Sequence, residues 1–248
     1  MTRLRADLLL VDRGFFESRA KAREAIEAGL VSADGKPVRK PSETLANDSE
    51  IVAPAPYPWV SRAGLKLVAG LDAFGIDPKG RTCLDLGSST GGFTQVLLAR
   101  GAVHVTAVDV GRDQLHPSLR ADPRVTSREA TDARDLRAEQ FEVAPSLLVC
   151  DASFISLRLV LPPALDLAAP GAELVALVKP QFEAGRASVG KGGLVKDPAI
   201  HTRVCAEIAA FLEARGWRVR GPVPSPIEGG DGNREFLIAA EKPSDPSE

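Results

Sequence analysis

Apolar residues return at every third or fourth position over 4–11 and again over 18–28, which is the repeat of an amphipathic helix. The second stretch carries its own punctuation. Ser18 stands before Arg19-Ala20-Lys21-Ala22-Arg23-Glu24-Ala25-Ile26 as an N-cap, and Gly29 follows as a C-cap. Short apolar runs predict strands at 30–32, 37–39 and 51–53. The first two are joined by Ala33-Asp34-Gly35-Lys36, whose Asp-Gly pair favours a tight hairpin. Pro54, Pro56 and Pro58 fit neither a helix interior nor a central strand, so 54–60 reads as a linker closing a small α+β domain of residues 1–53.

Beyond the prolines the pattern changes. A helix over 63–74 precedes strands at 81–86, 103–108, 125–127, 147–151 and 173–179, with helices over 157–168 and 199–215. Two last strands, 217–222 and 235–240, complete a second domain spanning 61–241. Strands that are apolar throughout and alternate with helices predict a mostly parallel sheet with helices on both faces, an α/β Rossmann-like class. Residues 242–248, rich in Pro and Ser, read as a frayed tail.

Composition narrows the field. Apolar residues make up 44% of the 248 and charged residues 26%, ordinary for a chain with a real core. No apolar run approaches the length of a membrane span, and the acid-flanked start of the chain lacks the form of a signal peptide, so a cytoplasmic protein is expected. Cys83, Cys150 and Cys205 are far apart, as are His104, His116 and His201, and none has metal-ligand spacing. The net charge of −2 argues against a uniformly basic protein, yet residues 3–40 hold nine Lys or Arg against six Asp or Glu. A local basic face is therefore expected, built from Arg3, Arg5, Arg13, Arg19, Lys21, Arg23, Lys36, Arg39 and Lys40, whose cations suit the phosphates of a folded RNA.

Leu84-Asp85-Leu86-Gly87-Ser88-Ser89-Thr90-Gly91-Gly92-Phe93-Thr94 joins the first strand of the second domain to a helix, where open α/β sheets bind ligands. Asp109, ending a strand about two dozen residues after Asp85, suits the two hydroxyls of a ribose. Asp132, just after the next strand, is placed to meet an adenine amino group. The spacing Gly-x-x-x-Gly-Gly departs from the dinucleotide fingerprint, and no phosphate-loop lysine follows.

Charged residues also end apolar strands. Asp151 follows Leu147-Leu148-Val149-Cys150, Lys179 follows Leu174-Val175-Ala176-Leu177-Val178, Glu235 opens the last strand, and Lys66 follows Ser61-Arg62-Ala63-Gly64-Leu65. Buried charges are costly unless paired or used. Three of the four are expected at the end of the sheet that carries the glycine loop. Such a set suits methyl transfer to a sugar hydroxyl: a lysine crowded by a second lysine gives up its own proton more readily and can take that of a 2′-hydroxyl, while Asp and Glu orient the groups.

These motifs resemble the hemolysin A or TlyA family of bacterial ribosomal-RNA 2′-O-methyltransferases, and more broadly the FtsJ/RrmJ class. The likeness runs through Ser18-Arg19-x-Lys21-Ala22, Gly29-Leu30-Val31, Ser61-Arg62-Ala63-Gly64-x-Lys66-Leu67 and the loop from Asp85 to Phe93. It continues through Cys150-Asp151-Ala152-Ser153-Phe154-Ile155-Ser156-Leu157, Leu177-Val178-Lys179-Pro180-Gln181-Phe182-Glu183 and Gly232-Asn233-x-Glu235. The resemblance implies a catalytic tetrad of Lys66, Asp151, Lys179 and Glu235. It implies S-adenosyl-L-methionine held by Asp85, Gly87, Ser88, Ser89, Thr90, Gly91, Gly92, Phe93, Asp109, Asp132 and Asp151. It also implies an N-terminal alpha-L motif of the ribosomal protein S-four type, aided in RNA binding by Arg62, and cytidine in ribosomal RNA of one or both subunits as substrate.

Three rivals follow from other features. An amino-group methyltransferase would want prolines after Asp151, where Ala152-Ser153 stand. A lytic toxin, suggested by the family's older name, would want a long, strongly basic amphipathic helix. An RNA-binding assembly factor without catalysis would have no use for the tetrad. The segment from 185 to 198, with Arg186, Lys191 and Lys196 among four glycines, reads as a mobile flap that grips RNA.

Overall fold

The computed structural model describes residues 3–244, and the chain divides into two compact units, residues 1–58 and 59–248. The first contains β1 (Arg3–Arg5), α1 (Ala6–Asp12), α2 (Arg19–Glu27), β2 (Ser32–Ala33), β3 (Lys36–Pro37), β4 (Thr44–Ala46) and β5 (Ile51–Val52). Ser18 caps α2 as the sequence predicts, its hydroxyl accepting the Lys21 N–H at 3.3 Å. Asp34 and Gly35 adopt φ of 51° and 73°, which closes β2 and β3 into a two-residue hairpin, and β5 pairs on the other side of β2. One pairing has no signal in the sequence: β1 lies antiparallel to β4, so the helix expected from residue 4 begins only at Ala6. Leu10, Phe16, Ala22, Ala25, Ile26, Val31 and Val38 fill the core of this unit.

The second unit runs α3 (Ala63–Phe74), β6 (Thr82–Leu86), α4 (Gly92–Ala99), β7 (His104–Val108), α5 (Pro117–Arg120), β8 (Val125–Arg128), β9 (Leu147–Cys150), α6 (Leu157–Val160), α7 (Pro162–Leu167), β10 (Glu173–Val178), α8 (Pro180–Glu183), α9 (Pro198–Glu213), β11 (Arg218–Pro224) and β12 (Phe236–Glu241). Its sheet has the order β11-β12-β10-β9-β6-β7-β8. The five strands from β10 to β8 are parallel, whereas β12 runs antiparallel to both β10 and β11.

The apolar runs explain the layers. A strand covered on both faces needs apolar side chains on both. Leu84, Leu86, Leu148, Leu174 and Ala176 pack with α6, α7 and α9, while Cys83, Val105, Leu147, Val149 and Val175 pack with α3 and α4. Truncating one such buried leucine to alanine costs about 2–5 kcal/mol.

Several boundaries differ from the expected ones. The helix expected over 157–168 is two helices, because Pro162 and Pro163 can open a helix but not continue one. Trp59 and Val60, read as linker, belong to the core of the second unit; Trp59 lies over Gly64, and Val60 N–H donates to Gln95 Oε1 at 2.6 Å. Lys242, expected in a frayed tail, is tied down: its Nζ donates to Ala168 O at 2.6 Å and its N–H to Ala172 O at 2.8 Å. Residues 245–248 of that tail lie outside the described residues. The expected mobile flap is pinned near its end, where Val195 is buried, its N–H donating to Asn233 Oδ1 at 2.9 Å and its carbonyl accepting from His201 Nε2 at 2.7 Å.

Candidate active site

β6 sits between β7 and β9, so the chain leaving Leu86 opens onto the crevice where the sheet's winding reverses. Gly87 makes the crossing possible. Its φ is +77°, and a Cβ there would come 2.8 Å from Ala152 Cα and 2.9 Å from Ala152 N. Beyond it, Ser89 N–H donates to Asp109 Oδ2 at 2.8 Å and Gly111 N–H to Asp109 Oδ1 at 2.7 Å. Asp109 thus stands at the end of β7 with each oxygen carrying one backbone bond and retaining a lone pair. It lines a cavity of about 600 Å³ together with Val108, Gly111, Asp132, Ala133 and Ile155.

A second cavity of about 640 Å³ shares Gly87, Ser89, Asp151, Ser153 and Phe154 with the first. Its wall includes Ser88, Thr90, Gly92 and Phe93 from the loop, and also Lys66, Lys179 and Glu235. Lys66 Nζ meets Glu235 Oε2 at 2.6 Å, with side chains 7% and 3% exposed. Lys179 Nζ meets Asp151 Oδ1 at 2.7 Å, a charge contact outside hydrogen-bond geometry, and donates to Asp151 O at 3.0 Å and Ser153 Oγ at 2.8 Å. All four tetrad candidates therefore line one cavity, each lysine beside a carboxylate.

The cofactor fits this pair of cavities. Asp109 offers two lone pairs to a ribose diol, and Ser88 Oγ is a buried polar atom that has no partner among the described residues. Three expected contacts need restating. Asp85 lines neither cavity; it is fully buried, its Oδ2 accepts from Thr94 Oγ1 at 2.7 Å, and burial pushes its carboxyl up to about 7. It ties α4 to β6 beneath the loop. Gly91 also lines neither cavity, because its Cα faces Leu119 and Leu115, whose side chains would meet a Cβ at 2.3 and 2.8 Å. Asp132 does line the first cavity, but its carboxylate is forked onto Arg134, with Nη2 at 2.6 Å, and that fork holds it below the usual carboxylate range. Its backbone, rather than its carboxylate, is left for an adenine.

Sequence reasoning overlooked part of the wall. Phe154 adopts φ of +64°, is 91% exposed, and sets its ring 5.2 Å from that of Phe182. A left-handed bulky residue costs on the order of 1–3 kcal/mol, and such strain gathers at functional sites. The only sequence signal was an aromatic three residues after Asp151. Ser61, Ser153, Gln181 and Asp231 also line the cavity.

Arg3, Arg5, Arg19, Arg23, Lys36, Arg39 and Lys40 are exposed on the first unit, and Lys21 is partly exposed and paired with Glu17 at 2.7 Å. Arg62 belongs to the second unit and lines the second cavity. Burial pushes the thiols of Cys83 and Cys150 up to about 12, as befits small core residues. Among the described residues no cluster of His, Cys, Asp or Glu could hold a metal, and no helix is long and apolar enough to cross a membrane.

Known proteins share both units. The profile of the FtsJ-like methyltransferase family matches residues 59–242, and that of the S4 domain matches residues 4–51. The 16S/23S rRNA (cytidine-2′-O)-methyltransferase TlyA of Mycobacterium tuberculosis is 47% identical over 238 residues, 95% of this chain and 89% of the relative. Hemolysin A of Brachyspira hyodysenteriae is 38% identical over 94% of this chain and 98% of its own length. A solved structure of a proposed hemolysin from Streptococcus thermophilus superposes with a TM-score of 0.78 at 42% identity, covering 99% of this chain and 90% of that one.

Proposed function

The chain belongs to the FtsJ-like methyltransferase family and carries an S4 domain ahead of the catalytic one; on that premise we propose that it methylates the ribose 2′-hydroxyl of a cytidine in ribosomal RNA, in one or both subunits, with S-adenosylmethionine as cofactor. The substrate is that of the relative whose name states it. The observation that carries the reaction is the pair of buried lysine–carboxylate contacts on the wall of a cavity that shares lining residues with the one assigned to the cofactor.

Bound S-adenosylmethionine supplies a methyl group on a positively charged sulfur. The chain's own residues do the rest. Asp109 holds the ribose diol, and Gly87 lets the backbone come close. A ribose hydroxyl is a poor nucleophile until its proton leaves. Lys179 would take that proton as the hydroxyl oxygen attacks, and Asp151 would balance the ammonium that results. Lys66, held by Glu235, places a second positive charge beside the oxygen as it develops negative charge. Fixing nucleophile and methyl in line contributes about 7–11 kcal/mol, and the base about 10²–10⁴ in rate. Phe154 and Phe182 offer an aromatic face on which the target base can stack.

The test is transfer of tritium from labelled S-adenosylmethionine to unmodified ribosomal subunits, with nuclease mapping of the product. Alkali-resistant label at a cytidine that disappears in Lys179→Ala, with cofactor affinity kept within a few fold, is the expected result. Labelling unchanged in Lys179→Ala refutes the base, and transfer to neither subunit nor free rRNA refutes the substrate. The name of the Brachyspira relative raises lysis as a second reading. Leakage from liposomes at low protein concentration would favour it.

A further inference from the structure

Among the described residues of the N-terminal unit, Asp7 is the one carboxylate with no exposed surface. A buried carboxylate persists only when its charge is met. Arg5, at the end of β1, donates Nε to Oδ1 at 2.9 Å and Nη2 to Oδ2 at 3.1 Å. Arg19, opening α2, donates Nε and Nη2 to Oδ2 at 3.3 and 2.8 Å. The Arg5 and Arg19 guanidinium groups hold the carboxyl well below its usual range. Exposure is lopsided. The carboxylate has none, while the Arg5 and Arg19 side chains are 45% and 53% exposed.

Two guanidinium groups on one carboxylate leave one net positive charge at the surface. Most of their N–H donors have no partner among the described residues. Each fork is already fixed in orientation, so an incoming group need not freeze two long side chains. The planar fork of arginine matches the paired oxygens of a phosphodiester. We infer that Asp7 is a positioning residue that fixes Arg5 and Arg19 as one clamp, and that the clamp takes a phosphate of the RNA backbone. Asp7 itself touches no RNA. The inference rests on the ribosomal RNA reading above.

Charge and geometry predict opposite signs, which makes the clamp testable. Asp7→Asn removes a negative charge, so electrostatics alone would tighten binding to a polyanion. Loss of the clamp weakens it. Binding of the full chain to transcribed 16S and 23S rRNA is measured across a salt series, with melting curves to confirm folding. We expect folded Asp7→Asn to bind about tenfold more weakly. The double variant Arg5→Lys with Arg19→Lys keeps every charge and loses the forks. It is expected to weaken binding by a similar factor while the dependence on salt stays the same, and it decides the matter should Asp7→Asn fail to fold. Binding by folded Asp7→Asn as tight as that of the parent, or parental binding by the lysine pair, overturns the clamp. Failure of the parent to bind either transcript overturns the RNA reading instead.

Discussion

The two units use the same pairing of cation and carboxylate in opposite senses. In the N-terminal unit the carboxylate, Asp7, is buried and its arginines reach solvent. In the cavity of the second unit the lysines are buried, at 7% exposure each, and their carboxylates lie against them. Surface cations held in place can grip a polyanion without changing it. Buried ones, in a setting where charge is poorly screened, can alter the proton affinity of what comes near. On the proposals above, burial of the cation, more than the presence of the pair, would separate a gripping surface from a reacting one.

Separating the units tests this division most severely. A chain beginning at Trp59 should still bind S-adenosylmethionine by calorimetry, whereas methyl transfer to ribosomal subunits should fall on the order of a hundredfold or more. Full activity would mean that the catalytic unit finds its substrate unaided. Glu235→Gln probes the buried side of the comparison. It leaves Lys66 without its countercharge and should cost about 3 kcal/mol of stability as well as methyl transfer, read by denaturant melts and single-turnover labelling. Parental stability would show that Lys66 finds other solvation. A third effect, read through pH, is at Asp85. Its carboxyl titrates at about 7 in the folded chain against 3.8 when exposed, so folding takes up a proton between those values. Stability is therefore lost as pH rises through that window and the loss levels off above it. Asp85→Asn has no such loss, and its melting temperature relative to the parent should climb between pH 5 and pH 8. A gap that stays constant with pH would remove Asp85 from the account.

The parallel strands were legible because burial on both faces leaves a continuous apolar run, as at Leu147–Cys150 and over 174–178. The hairpin at Asp34-Gly35 was legible because its turn needs φ values that few residue pairs tolerate. The pairing of β1 with β4 was not, since the three residues Arg3-Leu4-Arg5 are too short a run to establish a strand period, and their partner lies far along the chain. Charges ending apolar strands pointed to Asp151 and Lys179, and the structure puts both on one wall with Lys66 and Glu235. Strand position alone could not say that Asp85 points down onto Thr94 while Asp109 faces a cavity. Nor could it find Phe154, whose exposure follows from a backbone angle that residue type does not announce.

Asn233, two residues before Glu235 along the chain, receives the Val195 N–H on its Oδ1 and donates its Nδ2 to Gly193 O at 2.9 Å. That amide works as a rivet between the glycine-rich segment and the approach to β12. Extra residues inserted between Gly185 and Gly190 would be taken up ahead of the rivet and leave Glu235 in register. A single deletion between Val195 and Asp197 would pull on it directly, so tolerance to length change should drop sharply across a few neighbouring positions.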